Sequence, residues 1–380
     1  MSDAGTAEKT GRDVVLCLNS GSSSLKVALI VVGDGEERTV ARAAVEGLTG
    51  GPTPAALDET LAKLARSGAP EIDQVTVVGH RLVHGGPDHT EPVLVDEATL
   101  ASLRAVVPFA PLHLPAAIAG IEAMRARHPT LAQVVCFDTA FHASMPEVAR
   151  RLPIPDRFVD AGVRRYGFHG LSYEYVMSVL GKERPSRIVI AHLGNGASLV
   201  AVSEGRSVDT TMGLTPTGGI VMGTRTGDLD PGVLLHLERQ QGLSPDDVER
   251  LVNRESGLLA IGGTSDMGKL LERAGSDPRA RLAVAMFGYS VRKAIGALAA
   301  ALGGVDLVVF TGGIGEHAAA VRAEACRGLE GFGITLDPAR NERADEVISA
   351  ASSRCTVRVI KTDEDVVIAR HAHRVMRRPA

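Results

Sequence analysis

The stretch Val14-Val15-Leu16-Cys17-Leu18-Asn19-Ser20-Gly21-Ser22-Ser23-Ser24-Leu25-Lys26-Val27 decides the fold. An apolar run, Val14 to Leu18, enters a Gly/Ser turn, and a second run, Val27 to Val32, leaves it. Two such runs around a Gly/Ser turn read as a β-hairpin, and Gly33-Asp34-Gly35 closes it. About half a chain later the pattern returns. Arg187 to Leu193 is strand-like, Gly194-Asn195-Gly196-Ala197-Ser198 is the turn, Leu199 to Val202 is strand-like again, and Glu204-Gly205 turns the chain back. Units so widely spaced read as an internal duplication, not a short-period solenoid.

The chain has 380 residues, and a single hydrophobic core stops growing at roughly 250–300, so two domains are expected. Around the hairpins, helical spacing marks Leu57 to Arg66, Glu97 to Val106 and Ala116 to Arg127, while Gln74 to Gly79 and Leu131 to Phe137 read as strands. Pro146, Pro153 and Pro155 suit a boundary. An Ala-rich helix, Arg279 to Leu302, precedes a strand, Asp306 to Phe310, and the Gly-rich turn Thr311-Gly312-Gly313-Ile314-Gly315, with a helix opening at Glu316. Thr356 to Ile360 is a last strand before a C-terminal helix. Strands mixed with helices argue an α/β fold.

Composition narrows the function classes. Apolar residues make up 44% and charged residues 23% of the chain, which excludes a disordered or collagen-like protein. A net charge of −4 gives no reason to expect nucleic acid. Cys17, Cys136, Cys326 and Cys355 are isolated, so neither a zinc cluster nor a disulfide framework is expected. No uninterrupted apolar run reaches the ~20 residues of a membrane span, and Met1 to Arg12 is polar, a floppy terminus rather than a signal peptide. The expectation is a soluble, cytoplasmic protein. With 42 glycines and few aromatics, tight turns and close backbone approach to ligands are in view.

Two local matches are weak. Gly263-x-x-x-x-Gly268-Lys269 resembles a P-loop, but Leu270 stands where a hydroxyl should hold Mg²⁺. Gly313-x-Gly315-x-x-Ala318 resembles a dinucleotide fingerprint, but a dinucleotide domain usually begins with it.

Other clusters carry more. In the hairpin loop, Ser22, Ser24, backbone N–H groups and Lys26 offer donors to one anion, unless the loop is simply a polar turn. His80-Arg81-Leu82-Val83-His84 and Phe137-Asp138-Thr139 put a cation and a lone carboxylate at strand ends, where α/β sheets collect ligands; the plain alternative is a turn cap. Tyr166-Gly167-Phe168-His169-Gly170 sets an imidazole among scarce aromatics, and a lone histidine is more often structural. Met222-Gly223-Thr224-Arg225-Thr226-Gly227-Asp228 offers an anion clamp or an Arg–Asp pair that holds a loop. Together, cations, hydroxyls and isolated carboxylates in turns are how phosphoryl transfer is arranged.

With these motifs in this order, joined by His192-Leu193-Gly194-Asn195-Gly196-Ala197-Ser198 and Gly312-Gly313-Ile314-Gly315-Glu316, the chain resembles the acetate kinase family. That family belongs to the superfamily of acetate and sugar kinases, heat-shock chaperone ATPases and actin, and the likeness runs from about Val14 to the C-terminal helix. The resemblance implies a duplicated two-domain actin-like ATPase fold (ribonuclease H-like) with an interdomain cleft. Residues 13–142 with 366–380 would form the N-terminal α/β domain with the acyl-side residues, residues 143–365 the second with the nucleotide site, and residues 1–12 a disordered terminus. It implies reversible transfer of a phosphoryl group from ATP to acetate with Mg²⁺ (or Mn²⁺), by a homodimer that engages neither membrane nor nucleic acid.

By matching motifs, Arg81 and Arg225 would bind the carboxylate and the moving phosphoryl group, His169 would hydrogen-bond that group, and Asp138 would sit at the reacting centre. Asn19 and Glu364 would serve the metal. Ser22, Ser24, Lys26, His192, Asn195, Gly196, Asp266, Gly312, Gly313 and Gly315 would hold the nucleotide, and Val83, Leu112, Phe168 and Pro216 the acyl methyl. Three departures stand out: Leu114 and Ala117 where the family has asparagines, Gly268 where it has an arginine, and His317 in place of an asparagine. Rival readings are a propionate or butyrate kinase, a non-catalytic ATP-dependent module of the same superfamily, and an NAD oxidoreductase.

Overall fold

The computed structural model describes residues 12–20, 24–33, 35–48, 53–67, 70 and 72–378. Ser22 therefore lies outside the described residues. The chain forms two compact units, one made of Met1–Ala140 with Asp363–Ala380 and the other of Phe141–Thr362.

The first unit opens with β1 (Arg12–Ser20), which pairs antiparallel with β2 (Ser24–Gly33), Asn19 opposite Lys26. β3 (Glu36–Glu46) continues the meander with a bulge at Leu29/Ile30. β4 (Val77–Leu82) then runs parallel to β1, β5 (Val93–Leu94) is a short edge, and β6 (Ala132–Phe137) runs parallel to β4. The second unit repeats the plan. β7 (Arg187–Leu193) and β8 (Ala197–Ser203) form the hairpin, β9 (Arg206–Thr210) extends it with a bulge at Ala201/Val202, and β10 (Leu307–Thr311) and β11 (Thr356–Val359) add parallel strands. The orders are β3-β2-β1-β4-β6-β5 and β9-β8-β7-β10-β11. This is one ribonuclease H-like sheet built twice, the duplicated α/β fold that the two Gly/Ser hairpins announce.

Helices cover these sheets, which is why the central strands read as continuous apolar runs. In the first unit Leu57, Leu64 and Met124, from helices Pro54–Arg66 and Leu114–Arg127, pack on Leu16, Leu18, Leu29 and Val78. The C-terminal helix Glu364–Met376 packs against β1, β2, β4 and β6. Its approach is close: a Cβ at Gly79 would lie 2.4 Å from Ile368 Cγ2. The missing side chain at Gly79 lets this helix bring Glu364 to Arg81, two residues along the same strand. In the second unit Tyr173, Val176 and Met177 of helix Gly170–Leu180 pack on Ile188, Ile190, Val200 and Val309.

Several elements differ from the sequence expectation. The strand expected at Gln74 to Gly79 starts at Val77 and ends at Leu82, so Arg81 lies within it. Strands β3 and β9 carry exposed polar residues, Glu36 to Arg38 and Arg206, that hide their strand pattern. The Gly312 to Gly315 turn is instead the start of a helix, Gly312–His317. Poor glycine propensity is offset there by Glu316, whose carboxylate accepts the Gly312 N–H at 3.0 Å and the Thr362 N–H at 3.2 Å. Arg322, fully buried, donates to the carbonyls of Gly315 and Glu316 at 2.9 Å, so the C-terminal end of this helix is capped from within the protein. The P-loop-like run is not a phosphate loop: Gly263 ends the helix Gly257–Gly262, and Asp266 caps the next, Met267–Arg273.

Candidate active site

In the first unit the functional candidates line up across the sheet. Lys26, Asn19, Arg81 and Cys136 are successive ladder partners on β2, β1, β4 and β6. Asp138 follows two residues beyond Cys136, at the carboxyl end of β6, and its N–H donates to the Leu82 carbonyl at 3.0 Å. The carboxyl ends of parallel strands are where ligands bind in such sheets. Arg81 donates from Nε to Asp138 Oδ1 at 3.0 Å and from Nη2 to Oδ2 at 2.7 Å. Its Nη1 reaches Asn19 Oδ1 at 3.3 Å, and Glu364 Oε2 lies 3.4 Å from Nε. Burial alone would lower the Arg81 pKa; the Asp138 and Glu364 charges outweigh it and raise it, so the guanidinium stays charged. Asp138 is 1% exposed, a buried carboxylate that needs this partner. Asn19, Arg81, Asp138 and Glu364 are thus one cluster. Ser24 opens β2, and Lys26 is exposed.

The second unit holds an imidazole–guanidinium centre. His169 sits in the left-handed region at φ 58° and caps helix Gly170–Leu180. A non-glycine residue there is uncommon and clusters at functional sites. Its Nδ1 is 2.8 Å from Ser198 Oγ, and its ring stacks on His192 with centroids 4.3 Å apart and planes at 19°. The opposite ring nitrogen, Nε2, and Arg225 Nη1 each lie 3.4 Å from where a Cβ on Gly196 would stand. The two nitrogens converge over a glycine, where a side chain would crowd them. Arg225 Nη1 donates to the Pro216 carbonyl at 3.0 Å. The Arg225 loop rests on Gly257 (φ 63°), whose Cβ would lie 2.2 Å from the Met222 oxygen and 2.7 Å from the Arg225 oxygen. Asn195 packs its amide on Gly223 and accepts the Gly223 N–H on its backbone oxygen at 3.0 Å.

The remaining candidates are placed as follows. Val83 and Leu112 are half-buried in the first unit, and Phe168 and Pro216 are buried in the second. Asp266 is exposed and accepts the Lys269 N–H at 3.2 Å as a helix cap. Gly312, Gly313 and Gly315 lie in the first turn of the helix after β10. Sequence reasoning missed His142, Tyr173, Glu316 and Arg322, whose roles depend on contacts distant in the chain. His142 accepts from Ser207 at Nδ1 (2.9 Å) and donates from Nε2 to the Phe168 carbonyl (3.0 Å), which fixes the segment before His169. All four cysteines are free and buried, and burial pushes the Cys326 and Cys355 thiols up to about 12.

Two buried imidazoles predict a pH dependence of stability. Burial lowers His80 and His142 to about 4, against the upward pull of Gln133 on the first and of the Phe168 carbonyl on the second. The unfolded chain takes up these protons near 6.5, so stability is full above that pH and is lost as pH falls toward 4. Asp365 opposes part of this, because burial lifts it to about 6. The net slope between pH 6 and 4 is about one proton, ~1.4 kcal/mol per pH unit. Thermal melting between pH 7.5 and 5 should show the midpoint falling with pH; a midpoint that stays level or climbs would refute the assignment.

A duplicated ribonuclease H-like sheet with cationic centres and a strand-end carboxylate defines a phosphotransferase of the actin-like α/β class. The acetokinase family model matches residues 14–370. An acetate kinase from Deinococcus radiodurans is 46% identical over 384 residues, covering 93% of this chain and 96% of its own. An acetate kinase from Rhodopseudomonas palustris strain TIE-1 is 43% identical, covering 96% and 98%. Among solved structures, Porphyromonas gingivalis acetate kinase superposes with TM-score 0.85 at 36% identity, covering 96% of this chain and all of its own. A propionate kinase from Francisella tularensis superposes with TM-score 0.87 at 33% identity and the same coverage. The chain belongs to the acetokinase family.

Proposed function

We propose that this chain transfers the γ-phosphoryl group of ATP to acetate, reversibly, by direct in-line displacement, giving acetyl phosphate and ADP. The observation that carries the reading is the convergence of His169 Nε2 and Arg225 Nη1 over Gly196. Acetate is ionised at neutral pH and needs no general base. The difficulty is bringing two anions together, so fixed cations and donors are the required device. In this reading Arg225 and His169 stabilise charge on the moving phosphoryl group and Arg81 answers the acetate carboxylate. Asn195, Gly196, His192, Ser24, Lys26 and the helix start Gly312–Gly315 meet the nucleotide. Val83, Leu112, Phe168 and Pro216 would surround the acyl methyl.

The oxygens of Glu364 and Asn19 are hard donors that suit Mg²⁺, or Mn²⁺, held mainly through substrate phosphates, while both Asp138 oxygens are taken by Arg81. Among the described residues no group of three His, Cys, Asp or Glu side chains forms a self-sufficient metal cage. When bound, the metal neutralises charge on the ATP phosphates. Glu364 and Asn19 would hold it, while Asp138 keeps Arg81 oriented.

Propionate is the second reading, favoured by the propionate kinase among the similar structures and by the apolar Leu114 and Ala117 near the expected acyl pocket. One methylene is worth only ~1–3 kcal/mol in such a pocket. Hydroxamate trapping of acyl phosphate with acetate, propionate and butyrate side by side should give the highest kcat/KM for acetate. Absence of trapped product with all three acids would defeat the kinase reading, and a maximum at propionate would replace the substrate.

A homodimer is part of the same proposal. Helix Pro278–Ala301 exposes Leu282 (53%), Met286 (40%) and Tyr289 (55%) at helical spacing, a contiguous apolar stripe of the kind that marks an interface. Light scattering should give twice the chain mass, and Met286→Arg with Tyr289→Arg should halve it. A monomeric native protein would remove this part of the account.

A further inference from the structure

Behind His169 lies a buried chain of hydroxyls. Its Nδ1 is 2.8 Å from Ser198 Oγ, and Ser198 Oγ is 2.5 Å from the Tyr173 hydroxyl. Ser198 and Tyr173 are both 0% exposed. Ser198 lies on β8, whose register opposes it to His192. Tyr173 lies one helical turn after His169, and its N–H donates to the His169 carbonyl at 3.1 Å. The stacked partner, His192, also meets a serine at Nδ1: it is 2.8 Å from Ser172 Oγ, which donates to Thr362 Oγ1 at 2.9 Å. Two imidazoles lie face to face, each held at Nδ1 by a serine.

Counting protons gives the chain a direction. Each hydroxyl carries one hydrogen. A phenol is the stronger acid of the two hydroxyls, so Tyr173 donates to Ser198 Oγ, and the single Ser198 proton is left to point at His169 Nδ1. A neutral imidazole that accepts at Nδ1 carries its hydrogen on Nε2. Nε2 is the nitrogen that shares the space over Gly196 with Arg225. The other tautomer would present a lone pair there, which repels the oxygens of a phosphoryl group.

We propose that Ser198 and Tyr173 are positioning residues that hold His169 in the tautomer with hydrogen on Nε2, so that it donates to the transferring phosphoryl group. This rests on the reading of His169 as a donor to that group. Neither residue touches the reacting atoms; both act through the imidazole, in the way a second group sets the tautomer of a metal-bound or triad histidine.

The test combines spectroscopy with kinetics. In protein labelled with ¹⁵N-histidine, two-bond ¹H–¹⁵N correlation separates the tautomers, and His169→Gln identifies the His169 signals. The native protein should show His169 hydrogen on Nε2. Ser198→Ala and Tyr173→Phe remove one oxygen each and keep the shape of the side chain; thermal melting checks that both fold. Ser198→Ala should shift the His169 nitrogens toward a mixed or averaged state and lower kcat by roughly tenfold, the worth of one directed hydrogen bond. KM for ATP and acetate should stay within about twofold. Tyr173→Phe should move both readouts the same way by less. Hydrogen on Nδ1 in the native protein, or folded variants with native kcat and unchanged nitrogen shifts, overturns the proposal. If His169→Gln keeps full kcat, the phosphoryl-donor reading fails instead, whatever the tautomer.

Discussion

Arg81→Ala should abolish turnover and at the same time destabilise the first unit by about 3 kcal/mol, the usual cost of removing one partner of a buried ion pair. The reason is the position of Asp138. Its carboxylate is 1% exposed and takes two Arg81 N–H groups at 2.7 and 3.0 Å. Without Arg81 it keeps the penalty of burial and loses these two charge-assisted bonds. The arginine itself is 20% exposed at its side chain, so the figure lies at the lower end of the range for fully buried pairs. A second substitution separates the two losses. Asp138→Asn in the Arg81→Ala background removes the stranded charge and should restore most of the lost stability in urea unfolding, while activity stays absent. If the two single changes simply add in stability, the pair is not coupled as the geometry demands.

Arg225→Ala should lower kcat by about 10²–10³-fold, the range seen when one preorganised donor to developing charge is removed. The fold should survive, because Arg225 is half-buried and the substitution keeps the loop's backbone bond from the Met222 N–H to the Arg225 carbonyl, at 3.2 Å. Arg225→Lys should recover little of the loss, since an ammonium cannot reproduce the planar fork. Steady-state hydroxamate trapping reads the effect. A kcat near that of the native protein would remove Arg225 from the reacting centre and leave it as a loop tether.

The elements that carry the site were legible where strong apolar runs meet turn residues. The β1–β2 hairpin and the β7–β8 hairpin are both visible as text, and together they disclose the duplication. Strands β3 and β9 were not legible. Edge strands carry charges such as Glu36, Glu37, Arg38 and Arg206 that erase the alternation, and only pairing with β2 and β8 makes them strands. The glycines after β10 read as a turn because glycine is a poor helix former; Glu316 and Arg322 make them a helix start, and these two are held by Thr362 and Asn341, which are distant in the chain.

The site divides in the same way. Arg81, Asp138, His169 and Arg225 were candidates in the sequence because each sits in a short motif, the first two at strand ends and the last two in Gly-bearing turns, and because those motifs resemble the family's. Their mutual geometry was not. That Arg81 binds Asp138 bidentately follows from the pairing of β4 with β6, and that Glu364 joins them depends on the Gly79–Ile368 contact that seats the last helix on the first sheet. The hydroxyl chain from Tyr173 through Ser198 to His169 is equally silent in the sequence, because Ser198 reads as the end of a Gly/Ser turn and Tyr173 belongs to no motif.

The most direct test of the central claim is ³¹P NMR of the purified protein with ATP, Mg²⁺ and acetate. The account predicts a new acyl phosphate resonance that grows with the ADP signals and disappears when acetate is omitted. ATP consumption at the same rate without acetate, yielding inorganic phosphate and no acyl phosphate, would contradict it.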